Sequence, residues 1–213
     1  RHLDFTSNEN TLLNDGPCQQ FWNMIILRNP VNRLISHLAH LDSLPYHIEF
    51  RVTDMTPEGM GKLAPVISNN YYTRMIMGQD VFDLPFGKIT LAHAEQAKKR
   101  LEQFDTLLLQ DEPMSQSALV ELGLTCENKT VQIDNYTGHV DEYNSALEKR
   151  WNATQWKKLR SMNSADFEVY KHAERLRRLD RLVFAHKSFQ GVMRVLTRKE
   201  TGSHCGHLLA RED

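Results

Sequence analysis

Residues 24–36, MIILRNPVNRLIS, run from a short apolar stretch through Arg28 into a proline-led segment that reaches Ser36. This stretch limits the folds open to the chain more than any other. Residues 21–27 (FWNMIIL) have strand length and no strict alternation, the pattern of a strand covered on both faces. Pro30 suits the first turn of a helix, and Val31, Leu34, Ile35, Leu38 and Leu41 then recur at helical spacing. The spacing predicts an amphipathic helix over 30–42. A buried strand that passes directly into a helix is the unit of an α/β layer.

The rest of the chain extends this pattern. Residues 67–78 read as a helix stopped by Gly78, and 90–103 as a clearer one with Thr90 as N-cap. TLLLQ at 106–110 reads as a second buried strand, and 113–123 runs from proline to glycine as a helix does. Asn163 or Ser164 caps a long helix with Phe167, Val169, Tyr170, Ala173 and Leu176 on its apolar face. Lys171, Arg175, Arg177, Arg178 and Arg181 form its other face, either solvated or a ligand patch. Residues 43–66, with Pro45, Pro57 and Pro65, read as an irregular exposed excursion, and 124–150 as irregular around a short strand at 131–133. Strand–helix alternation predicts an α/β fold, a parallel sheet flanked by helices. One domain over 1–197 is expected, followed by a polar tail over 198–213.

With 213 residues, 40% of them hydrophobic, the chain can bury one sizeable core. A net charge of -1 supplies no whole-chain field for nucleic acid or an acidic membrane, so no nucleic-acid partner is expected. No apolar run approaches the length of about 18 residues that spans a bilayer. Cys18, Cys126 and Cys205 leave disulfide pairing open. The HCGH stretch at 204–207 is a weak metal candidate without a further ligand pair nearby, and no metal is predicted. Neither G-x-x-x-x-G-K-[ST] nor G-x-G-x-x-G occurs, which counts against an ordinary NTPase or dehydrogenase. Asn128, Asn135 and Asn152 each open an N-x-T sequon, a cluster that tilts toward a secretory lumen.

In an open parallel sheet, ligands sit beyond the carboxyl ends of the strands, where Arg28 falls. Its planar fork can grip a phosphate with two hydrogen bonds. Ser36, inside the following helix, can donate to the same anion, and the helix start adds a positive dipole end. Arg33, one turn before Ser36, either reinforces that site or pairs with an acid. A strand-end arginine capping carbonyls and a serine facing water explain the same spacing without a ligand.

The R-x-P-x-x-R-x-x-S stretch at 28–36 resembles the 3′-phosphate motif of sulfotransferases that use 3′-phosphoadenylyl sulfate. Further stretches fit in order. NNYYTRMIMG (69–78) resembles the asparagine-rich helix of Golgi carbohydrate sulfotransferases. AKKRLEQFDTLLLQDE (97–112) resembles their helix and following strand, and MNSADFEVYKHAERL (162–176) their final helix. The nearest likeness is to heparan sulfate 6-O-sulfotransferase-like proteins. The resemblance implies a P-loop-NTPase-like sulfotransferase fold and transfer of a sulfuryl group from 3′-phosphoadenylyl sulfate to a glycan hydroxyl.

By the same resemblance, Arg28 and Ser36 hold the 3′-phosphate, Asn135 and Thr137 in IDNYTGH approach the adenine side, and His40 touches the acceptor sugar. His40 can equally be a solvent-facing helix histidine. HLDFT (2–6) resembles a stretch whose histidine is the catalytic base, which makes His2 that base. Arg74 either meets an acidic sugar or pairs with an acid such as Asp80, and Tyr71 and Tyr72 either stack on a sugar ring or pack inside. No metal is implied, because a sulfuryl ester carries less charge than a phosphoryl one. The family's lysine- and glycine-containing loop for the 5′-phosphosulfate is absent before Phe21, and the first lysine is Lys62. With Arg1 as the first residue, the chain reads as a partial domain, its N-terminal strand, loop and helix missing, and a poor catalyst as written. A Golgi enzyme with a membrane anchor upstream is the implied setting. A non-catalytic glycan- or nucleotide-binding module, or a helical interaction domain without a ligand, remains the alternative.

Overall fold

The computed structural model describes residues 11–12, 16–17, 23–43, 55–110, 112 and 136–184, with the backbone alone at 42–43, 136–141 and 181–184. In chain order the elements are β1 (Met24–Leu27), α1 (Pro30–Ser43), α2 (Pro57–Leu63), α3 (Tyr71–Met77), α4 (Gln79–Phe82) and α5 (Leu91–Leu101). Then come β2 (Thr106–Leu109), α6 (Tyr136–Arg150), α7 (Ala153–Met162) and α8 (Ser164–Phe184). The architecture is mixed α/β, a small parallel sheet flanked by helices. β1 pairs with β2 in the register Met24↔Thr106 to Leu27↔Leu109. Parallel pairing requires the chain to cross back between the strands, and α1 to α5 lie in that crossover.

Alternation sorts the strand residues. Leu27, Leu107 and Leu109 join one buried cluster with Ile76, Ala94, Ala97, Leu101, Val169 and Ala173, drawn from α3, α5 and α8. A second cluster joins Val31, Leu34, Ile35 and Leu38 of α1 to Met60, Leu147, Trp151 and Leu159. On the opposite face of the sheet, Leu108 is buried while its partner Ile26 is 55% exposed.

Local chemistry sets the helix ends. The Asn29 side chain accepts from Val31 N at 3.0 Å, so α1 starts on an asparagine cap with Pro30 in its first turn. The Asn152 side chain and the Gln155 side chain cap each other's backbone N–H groups at the start of α7, at 3.0 Å each. Gly78 ends α3 at φ 90, where a residue with a Cβ is strained.

The structure corrects three expectations. The excursion at 43–66 contains α2, capped by Thr56, whose Oγ1 accepts from Gly59 N at 3.1 Å. The helix expected from 67 starts only at Tyr71, because Asn70 adopts the left-handed conformation, φ 53 and ψ 51. Residues 136–150, expected to be irregular, form α6, whose Leu147 is fully buried against the second cluster. The basic face of α8 is also interrupted: Arg177 is buried, with Nε 3.7 Å from Glu112 Oε2. The helix expected at 113–123, the strand at 131–133 and the tail from Arg198 lie outside the described residues.

Candidate functional site

Arg28 is the first residue past the carboxyl end of β1 and is half-buried. Its backbone N–H donates to the Tyr72 hydroxyl at 2.9 Å. Ser36, also half-buried, sits six residues into α1, about 9 Å along its axis. Neither residue is absorbed into the packed interior. Ser36 and His37 each lie three or four residues from Arg33 and from His40, so the four share one stripe of α1. The stripe runs outward, from buried Arg33 through half-buried Ser36 and His37 to exposed His40.

Arg33 is the unusual member. Its Nη2 donates to Ile67 O at 2.7 Å. The guanidinium lies 4.5 Å from the centre of the Tyr71 ring and 5.7 Å from that of Tyr72. Its buried Nε and Nη1 have no hydrogen-bond partner among the described residues. Burial lowers the Arg33 pKa from its ordinary value, against the opposing charge of Asp166. His37 meets Tyr71 edge-on at 5.8 Å, and burial together with the Arg33 and His40 charges lowers its pKa to about 4.

Behind this stripe, α3 and α8 cap each other. The buried Asp166 carboxylate accepts from Tyr72 N at 2.9 Å, from Thr73 N at 2.8 Å and from Thr73 Oγ1 at 2.9 Å. In return, Asn70 Oδ1 accepts from Ala165 N at 2.9 Å and Asp166 N at 3.2 Å, at the start of α8. Burial pushes the Asp166 carboxyl upward, while Arg33 and the Thr73 and Tyr72 donors pull it down. Each of its two oxygens accepts one backbone N–H, from Tyr72 and from Thr73. Asn163 extends the network: Oδ1 accepts from Asn70 N, and Nδ2 donates to Ser68 O and Leu159 O, each at 3.1 Å.

Arg74 is corrected to an internal tie. Its side chain is fully buried, and Nε donates to Asn69 O at 2.8 Å. Nη1 reaches Phe82 O at 2.8 Å and Leu84 O at 2.6 Å, while Nη2 reaches Asn69 Oδ1 at 3.0 Å and Pro85 O at 3.2 Å. A guanidinium so enclosed presents nothing to an acidic sugar, and its donors meet carbonyl and amide oxygens in place of an acid. Tyr71 is likewise occupied, packed by Arg33, His37 and Phe82.

The structure therefore brings Arg28, Ser36 and His40 onto one strand–helix unit and takes Arg74 away from it. His2 and Asn135 lie outside the described residues, and Thr137 falls on α6 with its side chain outside them. HCGH at 204–207 also lies outside them. Among the described residues no group of three or more metal-ligating side chains occurs, and no helix is long and apolar enough to cross a membrane. A shallow concavity lined by Glu142, Ser145, Ala146 and Lys149 includes none of the predicted site residues. Sequence reasoning missed Tyr72 as a partner of Arg28, and Asp166, Asn70 and Asn163 as the frame behind it. The signal for the frame is the N-x-x-D spacing of Asn163 and Asp166 together with the Asn69–Asn70 pair. No protein-family model, curated protein or solved structure matches this chain.

Proposed function

We propose that the chain is the nucleotide-holding part of a carbohydrate sulfotransferase with a P-loop-NTPase-like sulfotransferase fold. One observation carries this reading: Arg28 directly follows a parallel strand and leads into a helix that bears Ser36 one turn from a buried Arg33, whose Nε and Nη1 have no partner among the described residues. Arg33 brings a buried positive charge to this stripe of α1, with the Asp166 carboxyl as its opposing acid. Arginine stays charged even when buried, so this charge acts through low-dielectric surroundings on the half-buried Ser36 one turn away. A charge so placed favours an anion over a neutral ligand.

In this reading Arg28 and Ser36 hold the 3′-phosphate of 3′-phosphoadenylyl sulfate, and Asn135 and Thr137 approach its adenine. Anchoring the far end of the nucleotide aligns the sulfuryl group for in-line attack. A glycan hydroxyl oxygen forms the new bond to sulfur, the bond from sulfur to the bridging phosphate oxygen breaks, and adenosine 3′,5′-bisphosphate leaves. His2 takes the hydroxyl proton, a task suited to a side chain that titrates near neutrality. His40, exposed beyond Ser36, contacts the acceptor sugar. The Golgi lumen, with an anchor elsewhere in the protein, is the compartment that fits a glycan acceptor. The exposed sequon at Asn152 agrees with that setting.

Binding tests the reading directly. Arg28→Ala is expected to weaken adenosine 3′,5′-bisphosphate by at least about 1.5–3 kcal/mol, the scale of a lost charge-assisted hydrogen bond. Isothermal titration measures it, and an unchanged dissociation constant rejects the site. The burial of Arg74 removes one of the acceptor-side residues, which favours a second reading, a nucleotide-binding module without transfer. Sulfated product from a glycan acceptor separates the two.

A further inference from the structure

We propose that Tyr72 is a positioning residue for Arg28, and that through Arg28 it sets affinity for the 3′-phosphate of a bound nucleotide. This rests on the function proposed above and names a residue that the Arg28–Ser36 spacing does not contain.

The argument starts from the main chain. A backbone N–H that leaves a sheet needs another acceptor. At Arg28 that acceptor is a phenol 44 residues away in sequence, at 2.9 Å. Tyr72 is itself held at several points. Its own N–H donates to the fully buried Asp166 at 2.9 Å, Arg33 lies 5.7 Å from its ring centre, and the tilted Tyr71 ring lies at 6.4 Å. The turn that carries Arg28 is thus tied through the Tyr72 hydroxyl and main chain to the buried Asp166 carboxyl.

A guanidinium fork grips a phosphate by direction as well as by charge, so its grip depends on where its own Cα is held. Small displacements of a positioning group are costly for the same reason. Removing the Tyr72 hydroxyl leaves the Arg28 side chain present and its charge unchanged. The effect is therefore specific to the 3′-phosphate and small for the rest of the nucleotide.

The experiment compares two ligands on the full chain, wild type and Tyr72→Phe. Isothermal titration gives the dissociation constants for adenosine 3′,5′-bisphosphate and adenosine 5′-phosphate, and their ratio isolates the 3′-phosphate. Any loss of folded fraction in the variant scales both apparent constants alike, so the ratio is immune to it. The wild type is expected to prefer the bisphosphate, and Tyr72→Phe to reduce that preference about three- to tenfold, the worth of one hydrogen bond. A wild-type preference that survives intact in Tyr72→Phe overturns this inference and leaves the function standing. A wild type with no preference overturns both.

Discussion

Arg33 and Arg74 are two buried arginines separated by the kind of company they keep. Arg74 is enclosed by carbonyl and amide oxygens, whereas Arg33 has one carbonyl, two aromatic rings and two nitrogens, Nε and Nη1, without a partner among the described residues. Burial, helped by the charge of Arg33 one turn before it on α1, lowers the His37 pKa to about 4. A histidine with a lowered folded-state pKa takes up its proton in the unfolded chain first, between about pH 6.5 and 4. Its contribution to stability is therefore complete above about pH 6.5 and is lost progressively as the pH falls toward 4. Urea unfolding at pH 7 and pH 5 tests this. His37→Phe keeps the ring beside Tyr71 and removes the proton site. It is expected to narrow the stability gap between the two pH values by on the order of 1–2 kcal/mol, because solvent around a half-buried ring screens part of the effect. Equal gaps in wild type and variant would refute it. The sequence announced Arg28, because a strand end is a local pattern. It did not announce that Arg74 is internal, because the carbonyls that enclose it come from the end of α4, the turn after it and Asn69.

At the scale of elements, the meeting of α3 and α8 matters most. Each helix start is capped by a side chain from the other unit: Asp166 reaches the N–H groups of Tyr72 and Thr73, and Asn70 reaches those of Ala165 and Asp166. Neither cap has geometry without the other, so the two act as one. Asp166→Asn turns an acceptor-only group into one that must aim a donor at an N–H, at a cost of about 2–3 kcal/mol. Asn70→Gly tolerates the left-handed backbone and removes the cap, at a cost of about 1 kcal/mol. In a double-mutant cycle by urea unfolding, the pair is expected to couple by more than about 0.5 kcal/mol. Additive losses would show two independent caps. This mutual arrangement explains which elements the sequence displayed. Helices α1 and α5 and strand β2 carry their own periodicity and caps, and they were read within one or two residues. Helix α2 is short and holds Gly59 and Gly61, and it persists because Met60 is buried against α1. Helix α6 holds Gly138 and Asn144 and is fixed through Leu147. Packing at a distance overrides weak local preference in both, and no local pattern records it.

At the largest scale, two apolar clusters among the described residues are joined by a polar seam. One cluster contains the sheet with α3, α5 and α8; the other contains α1, α2, α6 and α7. Asn163, between α7 and α8, stitches them: it bonds Leu159 of the second cluster's helix, and Ser68 and Asn70 on the approach to α3. Asn69 adds a bond from Nδ2 to Met162 O at 2.8 Å. Apolar contact is non-directional and cannot by itself fix how the two clusters are joined, whereas these amide bonds have both direction and partner. In wild type the two clusters are therefore expected to open as one cooperative unit, so that Leu159 and Val169 share the same opening free energy. Asn163→Ala breaks three bonds in the buried seam. The exchange of α7 is then expected to occur through an opening about 1–2 kcal/mol easier than that of β2 and α8. Native-state hydrogen exchange read segment by segment gives both energies. If both fall together by the same amount, Asn163 contributes to global stability alone, and the clusters are held as one by their remaining contacts.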